Sequence, residues 1–141
     1  MATKSNQIIF LEGKEKALKN LFQNTFKYLA IGYDQQDSGF EDDYDSDATT
    51  KGFSELTIGE GGYHRVGLSL GDSYQDPDTG KMLVKFQATL DSDNIQGHRI
   101  NQMAIVDDET SVDTTYFSAT TFPAFNKTEN SSITFVIGMR V

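Results

Sequence analysis

The 141-residue sequence predicts a mainly β protein: a two-layer antiparallel β-sandwich with one N-terminal helix and a long acidic loop. Seven short segments rich in branched and aromatic residues are separated by turn-forming residues, and only one stretch has helical spacing. The length fits a single domain over residues 1–141. Within it we expect an N-terminal helix region at 11–25, an acidic loop at 34–47 and a β core at 53–141.

The predicted helix begins near Leu11. Beyond it, apolar residues recur at steps of one, three and four in a segment rich in Ala, Leu, Lys and Glu, which is typical of an amphipathic helix of about three turns. Residues 26–31 then become aromatic and branched and end at Gly32, so we expect a buried strand to follow the helix directly.

Two later segments alternate strictly between apolar and polar residues. Residues 82–90 place Val84, Phe86, Ala88 and Leu90 on one face, and residues 133–140 do the same with Ile133, Phe135, Ile137 and Met139. The segment 76–80, Asp-Pro-Asp-Thr-Gly, predicts a tight connection into the first of these strands. The remaining predicted strands are 53–58, 64–70, 100–106 and 115–122.

The acidic loop at 34–47 contains seven acids and no base, with too few apolar residues to fold alone. Asp43, Asp45 and Asp47 alternate as the first ligands of a calcium loop do. Ala48 and Ser54 stand where such a loop has Gly and Glu. A solvated acidic loop fits better, and a Ca²⁺ site at the three aspartates is the alternative. No other cofactor is expected.

Composition and motifs argue against several functions. A net charge of −9 disfavours binding to nucleic acid or anionic membrane, and the absence of cysteine excludes thiolate chemistry. The two histidines, His64 and His98, have no metal-ligand spacing and fit better as polar strand ends, followed by Arg65 and Arg99. No serine lies in a nucleophile elbow. We therefore expect no catalytic residues and a protein that is not an enzyme.

The charge is distributed unevenly along the chain. Residues 1–33 carry a net charge of +3, which leaves −12 for the rest of the chain. Such asymmetry suits contacts within a copy or between copies, and the sequence leaves both open. The candidate interface residues are Lys14, Lys16, Lys19, Phe40 and Tyr44. Aromatic residues expected at the surface, as protein contacts or a sugar platform, are Tyr33, Phe40, Tyr44, Tyr63, Tyr74 and Tyr116.

Taken in order, five blocks of the chain resemble a family of bacteriophage virion proteins found around tails, tail fibres and baseplates. The first is a Gly-Lys helix that leads into a strand, and the last is a closing hairpin that starts at Phe-Pro-Ala-Phe-Asn-Lys-Thr. The blocks are LEGKEKALKNLFQNTFKYLAIG (11–32), ELTIGEGGYHRVGLSL (55–70), VKFQATLDSD (84–93), INQMAIVDDE (100–109) and TTFPAFNKTENSSITFVIGMRV (120–141).

The resemblance implies a non-enzymatic virion structural protein of the tail, collar, baseplate or head, and it brings no catalytic residues with it. Its expected partners are other copies of itself and other phage structural proteins, and not nucleic acid or membrane. Its expected location is the virion, after synthesis in the cytoplasm of the host bacterium. The alternative is a receptor- or carbohydrate-binding module at the particle surface that uses the exposed tyrosines.

Overall fold

One α-helix, one short 3-10 helix (Glu60–Gly62) and eight strands make up the computed structural model, which describes residues 7–35, 53–128 and 130–140. No helix in these ranges has the length and apolar character needed to cross a membrane. The elements are α1 (Leu11–Asn24), β1 (Tyr28–Gly32), β2 (Val66–Gly67), β3 (Ser69–Leu70), β4 (Tyr74–Gln75), β5 (Met82–Leu90), β6 (Arg99–Val106), β7 (Tyr116–Asn126) and β8 (Ile133–Arg140).

The strands form two antiparallel sheets, as the sequence predicts. The first sheet has the order β2-β1-β6-β7. In the second sheet, every residue of β8 pairs with β5, from Leu83 opposite Arg140 to Leu90 opposite Ile133. The short strands β3 and β4 also pair with β5. Because β8 occupies one edge of β5, β3 and β4 share the other edge.

The core lies between the sheets and follows the alternation of the strands. The predicted inner face of β5 is confirmed, because Val84, Phe86, Ala88 and Leu90 are all buried. From the first sheet, buried branched residues of β1 and β6 face them. The predicted apolar face of β8 is also confirmed, although its residues are only half-buried, since β8 lies at the edge of its sheet among the described residues. A side chain on an edge strand lacks a neighbour on one side and stays partly exposed.

Helix α1 packs onto both sheets through Phe22. The Phe22 ring lies 4.6 Å from that of Phe86 on β5 and 4.8 Å from that of Phe117 on β7. Phe117 is an extra residue in β7: Ile105 pairs with Ser118 and Val106 with Tyr116, so Phe117 has no partner on β6. Such a bulge changes the direction of its side chain. One inserted residue therefore supplies the ring to which the helix binds.

Strand β7 extends four residues beyond its predicted end at Phe122. Ile100 pairs with Phe125 and Gln102 with Thr121, so β7 has a second irregularity that contains Pro123. Proline has no N–H to donate and is tolerated in a sheet at such a position, whereas sequence reasoning treats it as a stop. The Phe122 ring lies 5.6 Å from that of Phe135 on β8, which joins the two sheets there.

Two predicted strands differ from the structure, and one observed strand is missing from the prediction. Residues 53–58 form no strand, and only Glu55 makes an isolated bridge, to Gly32. Residues 64–70 form two short strands, since β2 pairs with β1 and β3 with β5, so this segment passes from one sheet to the other. The sequence does not predict strand β4, but it does predict the connection at 76–80. This connection joins β4 to β5, and Asp76 N donates to the Lys81 carbonyl at 2.8 Å.

Replacing Phe22 with alanine should lower the free energy of unfolding by about 3–5 kcal/mol, because the ring is fully buried between two others. Urea denaturation followed by circular dichroism measures this. Gln23→Ala, on the exposed side of the same helix, is the control and should change stability little. Phe135→Ala should cost less than Phe22→Ala, since Phe135 is half-buried. Equal costs for Phe22 and Gln23 would contradict the packing described.

Candidate functional site

Three polar side chains, those of Glu55, Tyr63 and Arg65, bond to one another, and we call them the Arg65 cluster. Arg65 is only 1% exposed and binds Glu55 with two parallel hydrogen bonds, Nε to Oε2 at 2.8 Å and Nη2 to Oε1 at 2.7 Å. The Tyr63 hydroxyl donates to Glu55 Oε2 at 2.5 Å. This bidentate geometry is the strongest form of an arginine–carboxylate pair.

The cluster also reaches two other parts of the chain. Arg65 Nη1 donates to the carbonyl oxygens of Asp108 and Ser111, each at 2.8 Å. The Tyr63 hydroxyl accepts a hydrogen bond from the backbone N–H of Ile31 in β1 at 3.0 Å. Arg65 and Tyr63 therefore connect the 55–65 segment to the first sheet and to the loop between β6 and β7.

The electrostatics of the cluster favour a single protonation state. Burial, with the hydrogen bond to Glu55 adding to it, raises the pKa of the Tyr63 hydroxyl far above its ordinary value. The hydrogen bonds to Glu55 raise the pKa of Arg65, against the opposing effect of burial. Tyr63 thus stays neutral and Arg65 stays charged. All three guanidinium nitrogens of Arg65 and both carboxylate oxygens of Glu55 are bonded within the protein, so the cluster acts as an internal connection.

This arrangement corrects two sequence interpretations. The sequence predicts a polar strand end at His64 and Arg65 and places Tyr63 at the surface. In the structure, Arg65 and Tyr63 are each only 1% exposed. The signal for this burial is weak, because residues 55–65 contain one arginine and two glutamates, Glu55 and Glu60, in a glycine-containing segment of mixed polarity. Ten residues apart, Glu55 and Arg65 would lie about 33 Å from each other in one strand and on different sides of one helix, so no local pattern pairs them.

The loop between β6 and β7 is held in shape by hydrogen bonds to its own aspartates. Asp108 Oδ1 accepts hydrogen bonds from the backbone N–H of Ser111 at 2.7 Å and of Thr110 at 2.9 Å. These bonds favour the ionised carboxylate and lower the pKa of Asp108. Since Arg65 binds the carbonyls of Asp108 and Ser111, the loop is attached to the core at these two residues.

Asp107 completes the loop. Its Oδ1 accepts hydrogen bonds from Thr115 N and from Thr114 Oγ1, both at 2.8 Å, which lower the pKa of Asp107. Between the two anchored ends, Val112 is 83% exposed, the highest fraction among the exposed large apolar residues of the described chain. An ordered acidic loop thus presents an apolar side chain to solvent.

Both histidines lie beside the glycine-rich turn at 59–62. Gly61 has a φ of +59° and lies so close to His98 that a β-carbon there would be 2.5 Å from its ring. His64 Nδ1 is 3.1 Å from the Gly62 carbonyl oxygen. Among the described residues, no three histidine or acidic side chains are grouped as metal ligands would be. This turn is closely packed against the 93–98 loop, as the 2.7 Å bond from Gln96 N to the Gly61 carbonyl shows.

The candidate interface lysines lie on α1. Lys14 and Lys16 are exposed, whereas Lys19 is half-buried and pairs with Glu15 at 2.6 Å. The other interface candidates, Phe40 and Tyr44, and the candidate calcium ligands Asp43, Asp45 and Asp47 lie outside the described residues. Only Lys14 and Lys16 of the candidate interface residues are therefore placed on an open surface.

The predicted tyrosine surface is only partly present. Tyr74 is 53% exposed, but Tyr63 is buried, and Tyr116 is half-buried with its ring 5.6 Å from that of Phe53. Burial raises the pKa of Tyr116. Tyr33 is also half-buried. A sugar platform that includes Tyr63 is therefore excluded by its position in the core.

A more prominent exposed apolar surface precedes α1. Ile8, Ile9 and Phe10 are 72%, 62% and 68% exposed, and Phe10 has an extended backbone. We call residues 7–10 the N-terminal arm. Three consecutive large apolar side chains in water are unusual in a folded domain and mark a contact surface. The sequence does not mark these three side chains as exposed, because a short apolar run before a helix has no pattern that distinguishes a buried from an exposed segment.

Comparison with known proteins finds no matching family model, no matching curated protein and no matching solved structure. The functional inference therefore depends on the residues and on their geometry.

Replacing Arg65 with alanine should lower the free energy of unfolding by about 3–5 kcal/mol, because it leaves the partly buried Glu55 carboxylate without its cation. Arg65→Lys should recover only part of this, since an ammonium cannot form the parallel bonds. Arg99→Ala, at an exposed arginine, is the matched control. Urea denaturation measures all three, and a neutral Arg65→Ala would show that the cluster does not support the fold.

Acid should loosen the 107–115 loop before the sheets unfold. The pKa values of Asp107 and Asp108 are lowered in the folded state, so their contribution is present at neutral pH and is lost as pH falls through the folded pKa. Amide exchange of Ser111 and Thr115 is followed by NMR from about pH 6 to about pH 3, and their protection factors, which correct for the slower intrinsic exchange in acid, should fall. Amides of β5 are the control, and parallel changes in both would contradict local loosening.

Proposed function

We propose that this chain is a non-enzymatic structural protein of a bacteriophage virion that assembles with itself and with other virion proteins of the tail, collar, baseplate or head. The observation that carries the proposal is a contrast between interior and surface. The polar groups of the Arg65 cluster bond within the protein, while large apolar side chains face solvent on two segments, the N-terminal arm and the loop that carries Val112.

The interior side of this contrast is the Arg65 cluster. A ligand site needs polar groups that are aimed at open space, and here the charged and hydroxyl groups are already bonded inside the protein. Such a network restricts the β6–β7 loop to one conformation. A rigid loop is what a protein needs if it presents a fixed surface to a partner.

The surface side of the contrast is apolar. The N-terminal arm and Val112 are exposed. Among the described residues β8 pairs only with β5, so its outer edge has backbone donors and acceptors available. Exposed apolar residues and an open edge strand are features that proteins cover by association.

The resemblance to phage virion proteins supports the same proposal. The block at 55–70 contains Glu55, Tyr63 and Arg65, and the closing block at 120–141 contains the irregular end of β7 and all of β8. Residues that resemble the family thus include those that join the two sheets and attach the loop. A receptor- or carbohydrate-binding module is less well supported, since Tyr63, a member of its expected tyrosine cluster, is buried.

The proposal predicts that the purified protein forms a discrete multimer. Light scattering over a concentration series measures the absolute mass, and the expected result is a mass several times 15.7 kDa that falls on dilution. A monomer at every concentration would contradict self-assembly. The same series with calcium and with a chelator tests the sequence hypothesis for Asp43, Asp45 and Asp47, since a bound interfacial ion would make the mass depend on calcium.

A further inference from the structure

We infer that the N-terminal arm of one copy docks on the 107–113 loop of a second copy, head to tail. This inference rests on the proposed function, which supplies self-assembly, and adds the two surfaces and the polarity of the contact.

The arm leads into a helix start with a small positive balance, since residues 11–19 contain three lysines against Glu12, which is exposed beside the arm, and Glu15. Ile8, Ile9 and Phe10 are followed within two turns of α1 by the exposed lysines Lys14 and Lys16. In the described part of the chain neither lysine makes an ion pair, whereas Lys19 is already paired with Glu15. The surface therefore offers three large apolar side chains beside two available positive charges.

The 107–113 loop has the complementary character. Val112 projects from a segment that carries four carboxylates and no base, contributed by Asp107, Asp108, Glu109 and Asp113. Asp107 and Asp108 bond to the loop itself, while Glu109 and Asp113 are exposed at its surface. The loop thus offers an exposed apolar side chain beside two carboxylates that are not occupied by the bonds that order the loop.

Charge complementarity argues that the occupant is a second copy. An apolar surface rimmed by positive charge is best covered by an apolar surface rimmed by negative charge, and this chain has one of each. The loop is held by Arg65 and by its own aspartates, so docking on it requires little ordering. The two surfaces belong to different elements and differ in charge, so the contact is heterologous.

A heterologous contact leaves a free arm at one end of any open chain of copies and a free loop at the other. Such contacts produce rings when the rotation between copies closes and filaments when it does not. The wild-type protein should therefore exceed a dimer, and a defect on either surface alone should stop its growth.

The first test uses two variants, Ile9→Ser/Phe10→Ser in the arm and Val112→Ser in the loop. All three residues are exposed, so both variants should fold and melt as the wild type does. Light scattering should show at least about tenfold weaker self-association for each. Val136→Ser, at another exposed apolar residue, is the matched control and should assemble normally.

Mixing the two variants tests the polarity. The arm variant keeps an intact loop and the loop variant keeps an intact arm, so an equimolar mixture should form a complex of one copy of each and grow no further. A mixture that stays monomeric would overturn the head-to-tail contact, and so would a mixture that grows as the wild type does.

A charge reversal provides an independent test. Lys14→Glu/Lys16→Glu should weaken association, and so should Glu109→Lys/Asp113→Lys, because each places like charges together. Combining the four changes in one chain should restore association to within about tenfold of the wild type, and Lys81→Glu, at an exposed lysine elsewhere, should have little effect. Absence of rescue would overturn the pairing of these two surfaces.

The outcomes separate this inference from the proposed function. Multimers that form in the wild type and persist in both the arm and the loop variants would overturn only the docking surfaces, and assembly through other contacts would stand. A wild type that is monomeric at all concentrations would overturn self-assembly and the docking inference together.

Discussion

The buried pair of Arg65 and Glu55 is the interaction on which the organisation of this molecule depends. A guanidinium in the core is costly unless each donor finds an acceptor, and here the acceptors come from Glu55 and from two carbonyls of the β6–β7 loop. The same carboxylate also fixes Tyr63, whose hydroxyl accepts the backbone N–H of Ile31. Arg65 and its partners therefore connect the irregular 55–65 segment, the central strand β1 and the β6–β7 loop.

Aromatic packing joins the layers in a complementary way. Phe22 connects α1 to both sheets, and the ring contact between Phe122 and Phe135 links the edge strands of the two sheets. Both contacts depend on irregularities in β7, one that inserts Phe117 and one that contains Pro123. The bulges are thus structural devices that direct rings between layers, in keeping with the known effect of a bulge on strand direction.

These internal connections hold the loop that carries Val112 in one position and attach α1 to the core. The loop that carries Val112 is ordered from its base by Arg65 and from within by two ionised aspartates. The arm precedes a helix that is attached to the core by Phe22. If the proposed assembly uses this loop, little conformational entropy is lost there, since the loop is already anchored.

The sequence by itself determined the fold class, the helix and the bounds of the long strands β5 and β8, because period-2 alternation and helical spacing are local properties. Tertiary structure alone decided that Arg65 pairs with Glu55, that residues 64–70 divide between two sheets, and that Phe117 turns toward α1. Each of these depends on residues brought together from distant parts of the chain, and no local period records which distant partner a side chain will meet.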